Sequence, residues 1–309
     1  MDFTYIILTI AGLCLFEVIC SIDNAIINAE VLTGMAAWAR RWFLIYGLFI
    51  AVFLIRALLP WLIVWMSNPA LGPVEAFTAT FSNDPEVIAA IEESAPILLM
   101  GGGTFLLFLF LHWIFLEEKH YGLPGECFIA SKGVWFFAVV SILLAAIVWF
   151  ALQVNTMAAF AAVIGSTAFF IVHGFRQNAE EQERKMLSGT MSDWSKIFYL
   201  EVIDATFSID GVIGAFAFTM SVPLIIIGNG LGALVVRQIT VSNVDKIKNY
   251  VFLKNGAMYS ILLLGLVMLA HGFGIHVPEW FSPLATALIV GFALFVSWKR
   301  RRRCSKVRR

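Results

Sequence analysis

The chain has 309 residues, 60% of them hydrophobic and only 14% charged. Soluble domains run at about 45–50% apolar and about 25% charged, so a water-soluble globule is excluded and a bilayer is the expected solvent for the excess apolar surface. Formal charge is zero, with 21 Lys plus Arg against 21 Asp plus Glu, which leaves no electrostatic basis for a nucleic-acid partner.

Stretches long enough to cross the hydrocarbon follow in chain order at 4–31, 43–66, 95–116, 134–154, 157–175, 197–219, 222–241, 255–270 and 283–298. The expected fold class is an all-α polytopic transmembrane helix bundle of about nine helices. It forms a single transmembrane domain over 1–309, with a basic tail at 299–309. The N-terminus has neither a basic leader region nor a small-residue cleavage site, so no cleaved signal peptide is expected.

Basic residues occur in alternate loops. Arg40 and Arg41 follow the first span, Lys119 and Lys132 the third, Arg184 and Lys185 the fifth, Lys246 and Lys248 the seventh, and the run 299–303 the ninth. The loops between, 67–94, 155–156, 220–221 and 271–282, hold no Lys or Arg. Positive charge stays on the cytoplasmic side. The N-terminus is therefore expected outside and the C-terminus inside, in a bacterial inner membrane. Loop 67–94 carries Glu75, Asp84, Glu86, Glu92 and Glu93; it reads as a solvated acidic loop or as a funnel that concentrates cations. The basic tail reads as an anchor to anionic lipid. Four cysteines without CxxC spacing indicate neither a disulfide framework nor a zinc site.

The first span contains EVICSIDNAI at 17–26 and the sixth DATFSIDGVI at 204–213. Superposed, Glu17 falls on Asp204, Ser21 on Ser208, Asp23 on Asp210, and Asn24 on Gly211. In the spans that follow, Gly47 precedes Arg56 by the same interval as Gly228 precedes Arg237. The charge rule runs helices one and six in opposite directions. An inverted repeat relating helices 1–3 and 6–8 is therefore expected, with halves at approximately 4–116 and 197–270, a design used for alternating access.

Glu17, Ser21, Asn24 and Asn28 share one helix face, and Asp23 lies about 120° away from it. Either Asp23 faces another helix or the helix opens at Ser-Ile-Asp. Each acid at mid-bilayer costs about 2.5–3.5 kcal/mol. The structural alternative, ion pairing with Arg56 and Arg237, could absorb two of the four acids but not all four, which favours a cation or proton path. Carboxylate, amide and hydroxyl oxygens suit manganese, calcium or magnesium. The expected metal residues are Glu17, Asp23, Asn24, Asp204 and Asp210, supported by Ser21, Asn28, Ser208, Asn229, Arg56 and Arg237. An antiparallel crossing near Cys20 and Phe207 would pair Asp23 with Asp204 and Glu17 with Asp210, about 9 Å apart along the membrane normal; Asp23 against Asp210 would give a single site instead. The glycines at 228, 230 and 232 serve close helix packing. His112, His173 and His271 are expected at the interface rather than as ligands.

The EVICSIDNA and DATFSIDGV segments resemble the paired motifs of the TerC family of integral membrane proteins, named for tellurium resistance, within the lysine-exporter superfamily. The resemblance covers the first two and the sixth and seventh helices. It implies metal-ion export, chiefly of manganese, with Glu17, Asp23, Asn24, Asp204 and Asp210 at the motif positions. Gly211 stands where that family commonly has a small polar residue, which marks a divergent branch. The expected function is a secondary transporter exporting a divalent cation, with manganese favoured as substrate and protons as the candidate coupling ion. No prosthetic group and no enzymatic activity are expected. The partners are the metal ion, protons and the lipid bilayer. A membrane chaperone or assembly factor is the alternative, followed by a membrane-embedded acid–base hydrolase, for which no GxGD motif is present.

Overall fold

The computed structural model describes residues 3–47, 49–50, 56–67, 72–73, 85–123, 125–187, 191–242 and 250–307. These form twelve α-helices and no strand. In chain order they are α1 (Phe3–Cys20), α2 (Ile22–Thr33), α3 (Ala37–Trp42), α4 (Arg56–Ser67), α5 (Pro85–Leu116), α6 (Glu126–Ala130), α7 (Phe136–Leu152), α8 (Thr156–Leu187), α9 (Asp193–Ala215), α10 (Val222–Ser242), α11 (Leu253–Gly272) and α12 (Phe281–Val307). A π-helical turn, Phe43–Gly47, follows α3.

Among the described residues, six helical stretches are long and apolar enough to cross a membrane: Phe3–Cys20, Ala95–Leu116, Gly133–Leu152, Thr156–Asn178, Leu253–Gly272 and Phe281–Lys299. They correspond to the first, third, fourth, fifth, eighth and ninth expected spans and mark an integral membrane protein. The other three expected spans differ in character. The second includes residues 48 and 51–55, which lie outside the described residues. The sixth is helical as α9 but interrupted by Glu201, Asp204 and Asp210. The seventh is apolar over the shorter stretch Val222–Gln238.

Two boundaries move outward. Helix α5 starts at Pro85, so the second part of the expected acidic loop is helical. Glu75 and Asp84 lie outside the described residues, as do the side chains of Glu86, Glu92 and Glu93. Helix α12 runs on to Val307, making most of the basic tail a continuation of the last helix.

Helix α5 sits at the middle of the main core, with Met100, Phe105, Leu106, Phe108 and Trp113 buried between α8 and α11. Glycines set these contacts. A Cβ on Gly165 of α8 would come within 2.0 Å of the Gly101 carbonyl of α5, so backbone meets backbone, as in membrane bundles that pack through small residues. Large apolar side chains such as Trp149, Phe160, Leu288 and Phe292 face outward, the arrangement a lipid solvent favours. At the start of α9, Trp194 packs on Trp38 and Trp42, with ring centroids 5.2 and 5.7 Å apart. Partly exposed tryptophans of this kind anchor at membrane–water boundaries.

The first motif helix is nearly continuous. Ser21 interrupts the helical assignment at φ −91° and ψ 2°, yet Ser21 N still donates to Glu17 O at 3.0 Å and Ala25 N to Ser21 O at 2.9 Å. The expected opening at Ser-Ile-Asp is thus a one-residue irregularity in the first motif. In the second motif α9 passes through Asp210 without a break.

Candidate functional site: a buried acid–arginine interface

Helices α1, α2 and α9 pack with α4 and α10 around a polar seam. Asn24 Nδ2 donates to Asp204 Oδ1. Seven residues earlier on the first motif, Glu17 Oε2 would lie 2.7 Å from a Cβ on Gly211, seven residues later on α9. Equal steps in opposite directions establish the antiparallel register. The observed register is one residue from the expected one. It brings Asn24, rather than Asp23, against Asp204, and Gly211, rather than Asp210, against Glu17. Any side chain at 211 would displace the Glu17 carboxylate, which explains glycine there physically. The side chain of Asp23 lies outside the described residues.

Arg56 of α4 joins the two motifs. Its Nη2 and Nε donate to Glu17 Oε1 at 2.6 and 3.1 Å, and its Nη1 is 3.6 Å from Asp204 Oδ2. Ser21 Oγ also donates to Glu17 Oε1, at 2.7 Å. Glu17 and Arg56 are 1% and 3% exposed, so each charge depends on the other in place of water. The matching serine of the second motif behaves differently: Ser208 Oγ donates back to the Asp204 backbone carbonyl at 2.6 Å.

Arg56 alone serves two of the acids, Glu17 and Asp204. Arg237 gives its Nη2 to the Phe43 carbonyl, with its guanidinium 4.2 Å from that ring's centroid. Asp210 pairs with Arg176 of α8. Arg176 was missed because the expected fifth span stops at 175, whereas α8 continues to Leu187.

Among the described residues, Glu17 Oε2, Asn24 Oδ1, Asn28 Oδ1 and Asp210 Oδ1 are buried without a hydrogen-bond partner, as are both oxygens of Glu201, both amide atoms of Asn229 and Arg237 Nε. Acceptors make up most of this set. Glu201, one turn before Asp204, is a second residue that the motif comparison missed, because that comparison begins at 204. Gly232 brings α10 against α1: a Cβ there would meet Glu17 Cβ at 2.6 Å and the Cys14 carbonyl at 2.9 Å. Among the described residues, no three of His, Cys, Asp and Glu cluster as metal ligands.

Arg176 also lines a cavity of about 620 Å³ with His112, Glu117, Phe137, Phe170 and His173. The two imidazole centroids are 4.1 Å apart. His112 Nδ1 lies 3.4 Å from Glu117 Oε1, and Lys254 Nζ lies 3.0 Å from Glu117 Oε2.

These features define a helical integral membrane protein with a buried, charge-rich seam between antiparallel helices. The chain belongs to the family described as protein of unknown function (DUF475), which matches it over residues 22–304. No curated protein and no solved structure matches it.

Proposed function

We propose that the protein is a secondary transporter that exports a divalent metal cation, manganese being the favoured cargo, through the carboxylates of α1, α2 and α9. The reading includes nine spans arranged as an inverted repeat, an external N-terminus and a cytoplasmic C-terminus in a bacterial inner membrane. It also keeps the TerC-like motifs as the cargo-binding elements. The observation that carries it is the surplus of buried acceptor oxygens at Glu17, Asn24 and Asp210. Oxygens withdrawn from both water and donors are costly, and a hard cation satisfies several of them at once.

Arg56 supplies the positive charge between Glu17 and Asp204. A divalent cation entering between these acids takes over that role, and the guanidinium withdraws. This exchange keeps the seam near neutral in both states, as low-dielectric surroundings require. Protons are the candidate counter-ion because carboxylates released by the cargo need a replacement charge.

The test is flux of Mn²⁺ into proteoliposomes containing the purified full chain, with Mg²⁺ and Ca²⁺ as comparators. The expected result is saturable Mn²⁺ movement that falls at least about tenfold in Glu17→Gln and Asp204→Asn at equal membrane insertion. Wild-type protein that moves none of the three cations overturns the reading.

A further inference from the structure

Glu201 stands apart from the acids that Arg56 and Arg176 neutralise. It lies on α9 one turn before Asp204, which places both on one face. Both of its carboxylate oxygens are buried without a hydrogen-bond partner. Its Oε1 occupies the space above Gly47, where a Cβ would come within 2.0 Å. Among the described residues, Asp204 and Arg237 are the charged groups close enough to act on it electrostatically; Arg237 gives its Nη2 to the Phe43 carbonyl and leaves its Nε without a partner.

The opposing helix presents more unmatched acceptors. The Asn24–Asp204 bond fixes the antiparallel register of α2 against α9, and that register carries Asn28 alongside the turn that holds Glu201. Asn24 and Asn28 are 2% and 4% exposed, and the amide oxygen of each is unpartnered. Among the described residues, the oxygens of Glu201 and the amide oxygens of Asn24 and Asn28 are thus left without a donor on two packed helices, while Asn24 Nδ2 reaches Asp204. An interface built only for packing has no use for such a set, because each buried unpartnered acceptor costs about 1–3 kcal/mol.

We propose that Glu201, Asp204, Asn24 and Asn28 form a second cation station, centred on the side of Asp204 away from Glu17. This deepens the transport reading and rests on it for the identity of the cargo, a divalent cation with oxygen ligands. The cargo moves between two stations that share Asp204. One station is gated by the Arg56 guanidinium, and the other is permanently rich in acceptors. Gly47 keeps space for the Glu201 carboxylate to turn towards the ion.

Equilibrium dialysis of Mn²⁺ against the purified full chain tests this, with thermal melting as a second readout. Wild type is expected to bind two Mn²⁺ ions per chain and to melt at a higher temperature when Mn²⁺ is added. Glu201→Gln removes one ion and leaves the other, whereas Glu17→Gln removes the ion that Glu201→Gln retains. Without metal, Glu201→Gln melts at or above the wild-type temperature, because it discards an unpaired buried charge. Gly47→Ala keeps the carboxylate but fills its space, and weakens that ion's binding about tenfold.

Binding by Glu201→Gln with wild-type stoichiometry and affinity overturns the proposal. Loss of the same single ion from Glu201→Gln and Glu17→Gln also overturns it, because only one station then exists. Two ions bound without flux in proteoliposomes support the station and remove the transport reading. Flux that persists undiminished in Glu201→Gln, with one ion fewer bound, overturns the two-station path.

Discussion

Arg56 Nη2 lies 2.6 Å from Glu17 Oε1, and the two side chains are almost wholly withdrawn from solvent. The pair ties α4 to α1 at the centre of the polar seam. Its stability effect is asymmetric. Removing Arg56 leaves the buried Glu17 and Asp204 without their shared cation and costs about 3–5 kcal/mol, whereas removing Glu17 leaves Arg56 beside Asp204 and costs less. Arg56→Leu is expected to lower the melting temperature in detergent more than Glu17→Leu, and the double variant to lose less than the sum of the two. Additive losses would mean that the two charges are solvated independently.

The contact between α5 and α8 admits a controlled comparison on one helix. Gly165 faces the Gly101 carbonyl at a distance no Cβ tolerates, whereas nothing lies within 4 Å of a Cβ on Gly174. Gly165→Ala must push two backbones apart and is expected to destabilise by about 1–3 kcal/mol. Gly174→Ala gains about 0.5–1 kcal/mol from helix propensity. Melting curves of opposite sign are the expected outcome; equal shifts would refute backbone contact at Gly165.

Glu117, just beyond the end of α5, gives a pH dependence with a defined sign. Burial opposes its charged form, but the hydrogen bond with His112 and the ammonium of Lys254 outweigh burial and hold the carboxyl at about 2, below its ordinary 4.5. The folded protein therefore binds fewer protons here than the unfolded chain. The resulting stabilisation is complete above about pH 4.5 and disappears as pH falls towards about 2. Melting temperatures of wild type and Glu117→Gln should differ most near neutrality and converge in acid. A gap that widens on acidification would reverse the assignment.

Membrane orientation is open to chemical labelling. Single cysteines replacing Arg184 and Lys246 should react with an impermeant thiol reagent only after the cytoplasmic face is opened. A cysteine at Glu75 should react in intact cells. Labelling at 246 from outside would reverse the proposed topology.

The parts of the fold legible in the sequence are those governed by length and hydropathy. Six expected spans reappear as helices of membrane-crossing character because uninterrupted apolarity has one economical outcome in lipid. The antiparallel approach of the two motif segments was legible from alternating loop charge. The pairing of charges was not. Arg56 drew notice through its repeat position, but Arg176 sits beyond an apolar stretch, where a cation normally reads as a membrane-end anchor, and its role depends on α8 continuing as a helix. Glu201 lies outside the matched motif, and its packing against Gly47 and its buried carboxylate oxygens, which set it apart, are visible only in the fold. The one-residue difference in register set Asn24 opposite Asp204. Such a shift depends on side-chain fit at the crossing, which hydropathy does not encode.

The register of α1–α2 against α9 also works as a vernier. Polar residues stand at 17, 21, 24 and 28 on one side and at 201, 204 and 208 on the other, in matching intervals of three and four. A slip of one helical turn, about 5.4 Å, would set Asn24 beside Glu201, Ser21 beside Asp204 and Glu17 beside Ser208. Three of the polar groups on α1–α2 would then meet polar groups on α9, while Asn28 would come to Ile197. Polar residues at these intervals favour whole-turn registers over intermediate ones, in the manner of one-turn ratchets between helices.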